Sequence, residues 1–294
     1  PEGGVVIQGS ASIQSPTATT LNVLQSSDRA VIDWRSFSIA NGETVNFLQP
    51  SAASATLNRV LGGERSVIDG ALNANGNVFL LNSAGILFGR DARVDVGGLL
   101  ATTSRLGNDD FMAGRLEFAA GAVPGAAVEN GGTISVRDGG LAALVAPTVR
   151  NAGVIRADLG RVALAGGETF TVDLYGDRLI NFALDAPAIA ATDRYRVEHS
   201  GTLIADGGSV LLSTAQANQV VSGVINLSGV VQARGIHEGP GGSIVLDGGS
   251  VSIAPDALLD ASAVGTGDGG RVVALGKDRL DFAGTIRANG GTES

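Results

Sequence analysis

The chain has 294 residues, 44% of them hydrophobic, which is enough for a sizeable buried core and excludes a disordered polymer. Its 29 acidic and 20 basic residues give a net charge of −9, and Lys277 is the sole lysine, so no nucleic-acid backbone or anionic membrane surface is expected as a partner. Cysteine is absent, which removes disulfides and thiolate metal sites and suits a chain that crosses an oxidising compartment unfolded.

Aromatic residues make up only 4% of the chain, while glycine accounts for 44 positions. A core of small and β-branched residues in thin stacked layers follows from that balance. The chain opens at Pro1 without a signal-like apolar stretch or a run of 18 apolar residues, so it reads as a mature terminus with no stable membrane insertion.

Residues 1–50 are rich in strand patterns: VVIQGSASIQ at 5–14, LNVLQSS at 21–27, AVIDWRSFSI at 30–39 and ETVNFLQ at 43–49. They are expected to form an amino-terminal β cap with Trp34, Phe37 and Phe47 packed in it. Residues 51–130 hold the early coils, with Phe79 and Phe88 as core residues.

From Gly131 onward one phrase recurs: a glycine, alternating apolar residues, a second Gly or Asp-Gly, then another alternating run. It reads GGTISVRDGGLAALVA at 131–146, AGVIRADLGRVALAGG at 152–167, SGTLIADGGSVLLSTA at 200–215 and SGVINLSGVVQARG at 222–235. Further copies are GGSIVLDGGSVSIAP at 241–255, GGRVVALGKDRLDF at 269–282 and AGTIRANGG at 283–291. Starting glycines at Gly132, Gly153, Gly201 and Gly223 give steps of 21, 48 and 22 residues, the long step being two repeats with an insertion.

A period near 20 with short strands and no helical phase predicts an all-β fold, a right-handed parallel β-helix. In each strand one set of residues, such as Val162 and Leu164 or Ile244 and Leu246, points inward and leaves the other to solvent. Roughly a dozen coils at ~4.8 Å would make a rod about 55 Å long. Residues 171–199 carry both tyrosines, Tyr175 and Tyr195, with Phe182 and charges out of step with the repeat. They are expected to leave the solenoid as two or three extra-helical strands. Because the sequence stops inside a copy of the phrase, the native chain is expected to continue with more coils.

NRVLGGERSVIDGALNANGNVFLLNSAGILFGRDARVDVGGLLATT at 58–103 closely resembles the hallmark stretch of the secretion domain of two-partner-secretion exoproteins. That family includes filamentous haemagglutinin and high-molecular-weight adhesins. SSDRAVIDWRSFSIANGETVNFLQP at 26–50 resembles it as well, and the later repeats fit. A family motif that usually reads Asn-Pro-Asn-Gly-Ile corresponds here to Asn82, Ser83, Ala84, Gly85 and Ile86. Asn82, Gly85 and Ile86 keep the turn chemistry, while the rigidifying proline is gone.

The resemblance implies a secretion-targeting and folding-nucleation domain of a large exported exoprotein, an adhesin or a relative of one. Its implied partner is a cognate outer-membrane barrel transporter with periplasmic recognition domains. The implied destination is the medium or the cell surface, reached through the periplasm of a Gram-negative bacterium. A monomer without cofactor or catalytic activity is expected. Strands such as 5–14 and 30–39 would suit capture by β-augmentation.

Sites for chemistry have plainer explanations. Asp247, Asp256, Asp260 and Asp268 are the carboxylates that a β-helical polysaccharide-active enzyme would use, yet each sits where turns favour Asp, and no basic residue is specifically placed beside them. His199 and His237 are too few and too separated for a zinc site or triad. Gly265, Gly267 and Gly270 match a dinucleotide fingerprint but lead into a strand rather than a helix. Asn226, Leu227 and Ser228 form a glycosylation sequon inside a predicted strand. An adhesive domain that binds its target directly is the other alternative, and an exposed aromatic groove would favour it.

Overall fold

The computed structural model describes residues 1–172, 195–214, 223–236 and 241–291. Strands wind into a parallel β-helix with three faces, connected in the right-handed sense that twisted strands impose on crossovers. One coil illustrates the path. Leu141–Ala146 lies in face one, Thr148–Asn151 in face two and Val154–Arg156 in face three, after which Arg161–Gly166 returns to face one beside Leu141–Ala146. Near the far end Ser243–Ile253 and Arg271–Phe282 each run through faces one and two, with a register shift between Gly248 and Ser250.

Face three gives the true repeat. Thr133, Val154, Thr202, Val230, Leu258 and Thr285 stand in one register column, in steps of 21, 48, 28, 28 and 27 residues. Gly229 therefore follows Gly201, which corrects the expected step to Gly223, and the 48-residue step is one coil with an insertion rather than two repeats, since Val154 pairs directly with Thr202. A Cβ on Gly229 would lie 2.3 Å from the Gly201 carbonyl, so backbones at this corner approach too closely for any side chain. Gly223 instead opens the face-two strand Gly223–Leu227. Two Ser-Gly pairs, at 222–223 and 228–229, made the sequence ambiguous.

Among the described residues, face three stacks ten parallel strands, from Thr20–Gln25 to Thr285–Arg287. At ~4.8 Å each they span about 43 Å, shorter than the expected rod because excursions between faces one and two consume chain. Residues 103–126, between Gly98–Thr102 and Ala127–Asn130, make one such excursion. The expected insertion at 171–199 falls mostly on 173–194, outside the described residues, as do Tyr175 and Phe182. Tyr195–His199 belongs to the coil, pairing with Thr148–Asn151 and Gly223–Leu227.

The amino-terminal end is closed by antiparallel pairing. Val5–Gln8 pairs antiparallel with Arg29–Trp34, and Ala11–Thr17 with Thr20–Gln25, while Thr20–Gln25 and Arg29–Trp34 already pair in parallel with the next coil. Val6 and Ile13 turn inward onto the core. Both cap strands carry register shifts, and Pro16 lies in the second, devices that discourage a further strand from adding.

Inward residues build one continuous apolar column from Val23 to Ala261. Face one departs from the expected alternation. Its middle strands read NVFLLN, GLLAT and LAALVA and are buried on both sides. Val162 and Leu164 point inward as expected, but Ala163 and Ala165 join a second apolar cluster outside the helix rather than facing water. Phe111 and Phe118 from the 103–126 excursion, with Phe170, cover that outer surface. Glu117–Phe118 pairs antiparallel with Phe170–Thr171, and Phe118 stacks on Phe170 with centroids 4.3 Å apart.

Candidate recognition site at the amino-terminal corner

Residues 82–86 form the tight corner between faces one and two. Asn82 ends the strand Asn77–Asn82, and Ile86 opens Ile86–Phe88 with its side chain fully buried. The Asn82 side chain is 1% exposed and holds three groups at once. Its Nδ2 donates to Glu64 O and Ser66 Oγ, both at 2.9 Å, and its Oδ1 accepts from Ala84 N at 2.9 Å. Gly85 N closes the turn on the Asn82 carbonyl at 3.0 Å.

Gly85 has φ +106°, and a Cβ there would press against the Ala127 carbonyl at 2.9 Å. Its own carbonyl accepts from Ser66 N at 3.1 Å. Ser83 and Ala84 are half-exposed, and the Ser83 carbonyl accepts from Val123 N at 2.9 Å. The corner therefore ties together the loop below it, at Glu64 and Ser66, and the returning excursion above it, at Val123 and Ala127. Leu61, 63% exposed, and Val123, 45% exposed, are apolar residues on these two flanking loops.

Trp34, Phe37 and Phe47 lie in the main core directly beneath the cap. Trp34 meets Phe37 edge-on at 5.3 Å, Phe37 stacks near Phe47 at 6.5 Å, and all three are at most 2% exposed. Trp34 Nε1 donates to the buried Asn58 Oδ1 at 3.0 Å. Gly4 of the cap lies against the ring, since a Cβ there would come within 2.5 Å of it. Trp34, Val60 and Asn82 occupy one register column at the end of face one. The cap aromatics and the corner motif are thus two coils apart, about 10 Å along the axis.

Sequence reasoning missed the groups that bind the excursion to this end. Arg29 Nη1 donates to the Phe111 carbonyl at 3.0 Å, with the guanidinium 5.4 Å from the ring centroid. Arg59 forms a bidentate pair with Asp33 at 2.8 and 2.9 Å and reaches Asn108 Oδ1 at 2.9 Å. Gln8 of the cap donates to Asp109 Oδ1 at 3.1 Å. The unbroken apolar runs of face one were the available signal that something covers its outer side.

The other candidates do not gather. Asp247 lies in the face-one part of its strand and Asp260 in face three, with Asp256 in the turn between them. Among the described residues no group of three or more His, Asp or Glu could hold a metal. His199 is buried in the core and His237 lies outside the described residues. Leu227 of the sequon packs in the core, and Gly265 and Gly267 are positive-φ turn residues leading into the strand Arg271–Phe282.

Comparison with known proteins agrees with this architecture. A heme/hemopexin-binding protein of Haemophilus influenzae strain Rd is 33% identical over 230 residues, covering 75% of this chain and 24% of its own length. Another heme/hemopexin-binding protein of H. influenzae is 42% identical over 106 residues, 36% of this chain and 11% of that protein. The chain therefore spans at most about a quarter of the relatives it matches.

The crystal structure of the HMW1 secretion domain from H. influenzae superposes with a TM-score of 0.73 at 28% identity, covering 98% of this chain and 84% of that one. The filamentous haemagglutinin secretion domain superposes with a TM-score of 0.61 at 15% identity, over 98% and 100% of the two chains, and shares the fold. The sequence profile of the TPS secretion domain matches residues 1–258. On that match the chain belongs to the TPS secretion domain family, the secretion-targeting domain of two-partner-secretion exoproteins.

Proposed function

We propose that this domain directs export of a large bacterial exoprotein and nucleates its folding outside the cell. In this reading the periplasmic domains of a cognate outer-membrane barrel transporter recognise the unfolded chain, which passes through the periplasm of a Gram-negative bacterium to the medium or cell surface. The supporting observation is the closed amino-terminal end. With Val5–Gln8 and Ala11–Thr17 sealing the first coil, a helix that nucleates here grows in one direction only, as chain emerges. The whole exoprotein would be an adhesin, and the domain a monomer without catalytic role.

The corner at Asn82, Ser83, Ala84, Gly85 and Ile86 is the candidate recognition motif. Once folded, its half-exposed Ser83 and Ala84 remain at the surface, whereas Asn82, Gly85 and Ile86 are structural. Capture by β-augmentation suits residues 5–14 of the unfolded chain, since in the folded domain the register shifts and Pro16 of the cap strands discourage a further strand. Residues 30–39 offer a free edge only before folding, because Arg29–Trp34 is paired on both sides afterwards.

The test is to express the domain behind a signal peptide with and without its barrel partner and assay the medium. Export only with the barrel, lost when residues 5–49 are deleted, is the expected result. Secretion independent of the barrel would overturn the proposal.

A further inference from the structure

A polar column runs through the otherwise apolar interior of the middle coils. Phe88, Asn130, Asn151, His199 and Leu227 stand in register at the ends of successive face-two strands. Asn130, Asn151 and His199 are each at most 2% exposed. Their hydrogen bonds form a chain with one direction. Asn130 Nδ2 donates to Asn151 Oδ1 at 2.7 Å, Asn151 Nδ2 meets His199 Nδ1 at 3.1 Å, and His199 Nε2 meets the Val230 carbonyl at 3.1 Å.

Both ends fix that direction. A carbonyl only accepts, so Nε2 carries the ring proton, and Nδ1 of the neutral imidazole accepts from Asn151. At the other end Gly132 N donates to Asn130 Oδ1 at 3.1 Å, which sets the orientation of that amide. The remaining amide protons are used as well, on Gly132 O at 3.4 Å and Gly153 O at 3.3 Å.

We propose that this ladder is an acid-sensitive lock on the middle coils, opened by protonation of His199. A proton on Nδ1 places two donors face to face. Reversing the Asn151 amide would relieve that contact but turn its NH2 toward that of Asn130. Reversing Asn130 in turn would set its NH2 against Gly132 N–H. No orientation of the two amides satisfies a charged ring, and no water-exposed side is open to it.

Among the described residues no counter-charge faces the ring. The charged residues on the ladder strands and on those packed against them are Glu129, Arg150, Arg156, Arg161, Arg196 and Glu198, and strand alternation sends them outward from the buried neighbours Val128, Val149, Ile155, Val162 and Val197. On that outer side Glu198 pairs with Arg150 at 2.8 Å and Arg196 at 3.2 Å. Thr202–Ile204, Gly223–Leu227 and Val230–Gln232 carry no charged residue. Burial pushes the imidazole pKa below its ordinary 6.5, outweighing the hydrogen bonds with Val230 and Asn151.

Because the folded pKa is lowered, the unfolded chain binds the proton more readily. Stability is then highest above pH 6.5 and falls as pH drops toward the folded value. The lock holds at neutral pH and loosens the coils from Thr148–Asn151 to Gly223–Leu227 in mild acid.

The decisive variant is His199→Asn, which extends the column as a third asparagine. His237 is the only other histidine and is retained. Urea unfolding of the 294-residue domain at pH 7.5 and 5.5 should show the wild-type unfolding constant rising about tenfold more than that of the variant. Should His199→Asn fail to fold, His199→Leu, matching Leu227 in the same column, serves in its place. Imidazole 15N shifts of the wild type should also show the Nε2-protonated ring persisting in the native state at pH 5.5. Equal pH dependence of wild type and variant, or normal titration of His199 near pH 6.5 with the coil intact, would overturn the proposal.

Discussion

The first 118 residues and the coils after residue 195 share one backbone plan and differ in what fills it. Trp34, Phe37, Phe47, Phe79, Phe88, Phe111 and Phe118 are all buried in the first region, which is packed on both sides of face one. In the second, Phe282 is 48% exposed, and among the described residues the interior is filled mainly by Val, Ile, Leu and Ala around the buried His199. A solenoid's stability is a sum of coil and interface terms, so large rings and a double-sided sheet concentrate it at one end. The amino-terminal half is thereby suited to be the unit that forms first, and the later coils to be added upon it.

Substitutions that probe this contrast are expected to separate by region. Trp34→Ala should cost about 4 kcal/mol in urea unfolding, since it removes the largest buried ring and leaves Asn58 Oδ1 without its donor. Phe111→Ala should cost about 3 kcal/mol by the same measurement, by uncovering Phe79 and the outer side of face one. Asn82→Ala should cost about 2 kcal/mol, because Ser66, Glu64 and Ala84 lose a shared partner.

Smaller effects belong to the later coils. Burial alone would raise the Asp206 carboxyl pKa, but Arg234 and Gln232 hold it below its ordinary 3.8. That lowered value means the pair stabilises the fold above pH 4 and loses its effect as pH falls through the acid range. Asp206→Asn should therefore lower stability by less than ~1 kcal/mol at pH 7, because solvent screens the partly exposed pair. The difference from wild type should shrink in urea titrations carried toward pH 3. Phe282→Ala should change stability by no more than ~0.5 kcal/mol. A loss at Phe282 as large as that at Phe111 would erase the regional contrast.

The inner alternation and glycine corners of the β-helix were readable because a two-residue period and a positive-φ or close-packed turn leave local traces. The step after Gly201 is not legible, because two Ser-Gly pairs lie six residues apart and only pairing distinguishes them. The doubly buried face one was written in LAALVA and NVFLLN, but a run of apolar residues does not say what covers it. Phe111 reaches back to Arg29 across 82 residues, a contact with no local signature. The corner at Asn82–Ile86 was found through family resemblance, while its grip on Glu64, Ser66 and Val123 emerged only from register. The Asn130–Asn151–His199 ladder was likewise invisible, because its members become neighbours only when coils of 21 and 48 residues are stacked.

Pulse-labelling hydrogen exchange during refolding addresses the nucleation claim most directly. Amides of Arg29–Trp34, Ala55–Val60 and Asn77–Asn82 are predicted to gain protection before those of Gly223–Leu227 and Leu258–Asp260. Protection that appears first in the later coils, or simultaneously throughout, would contradict it.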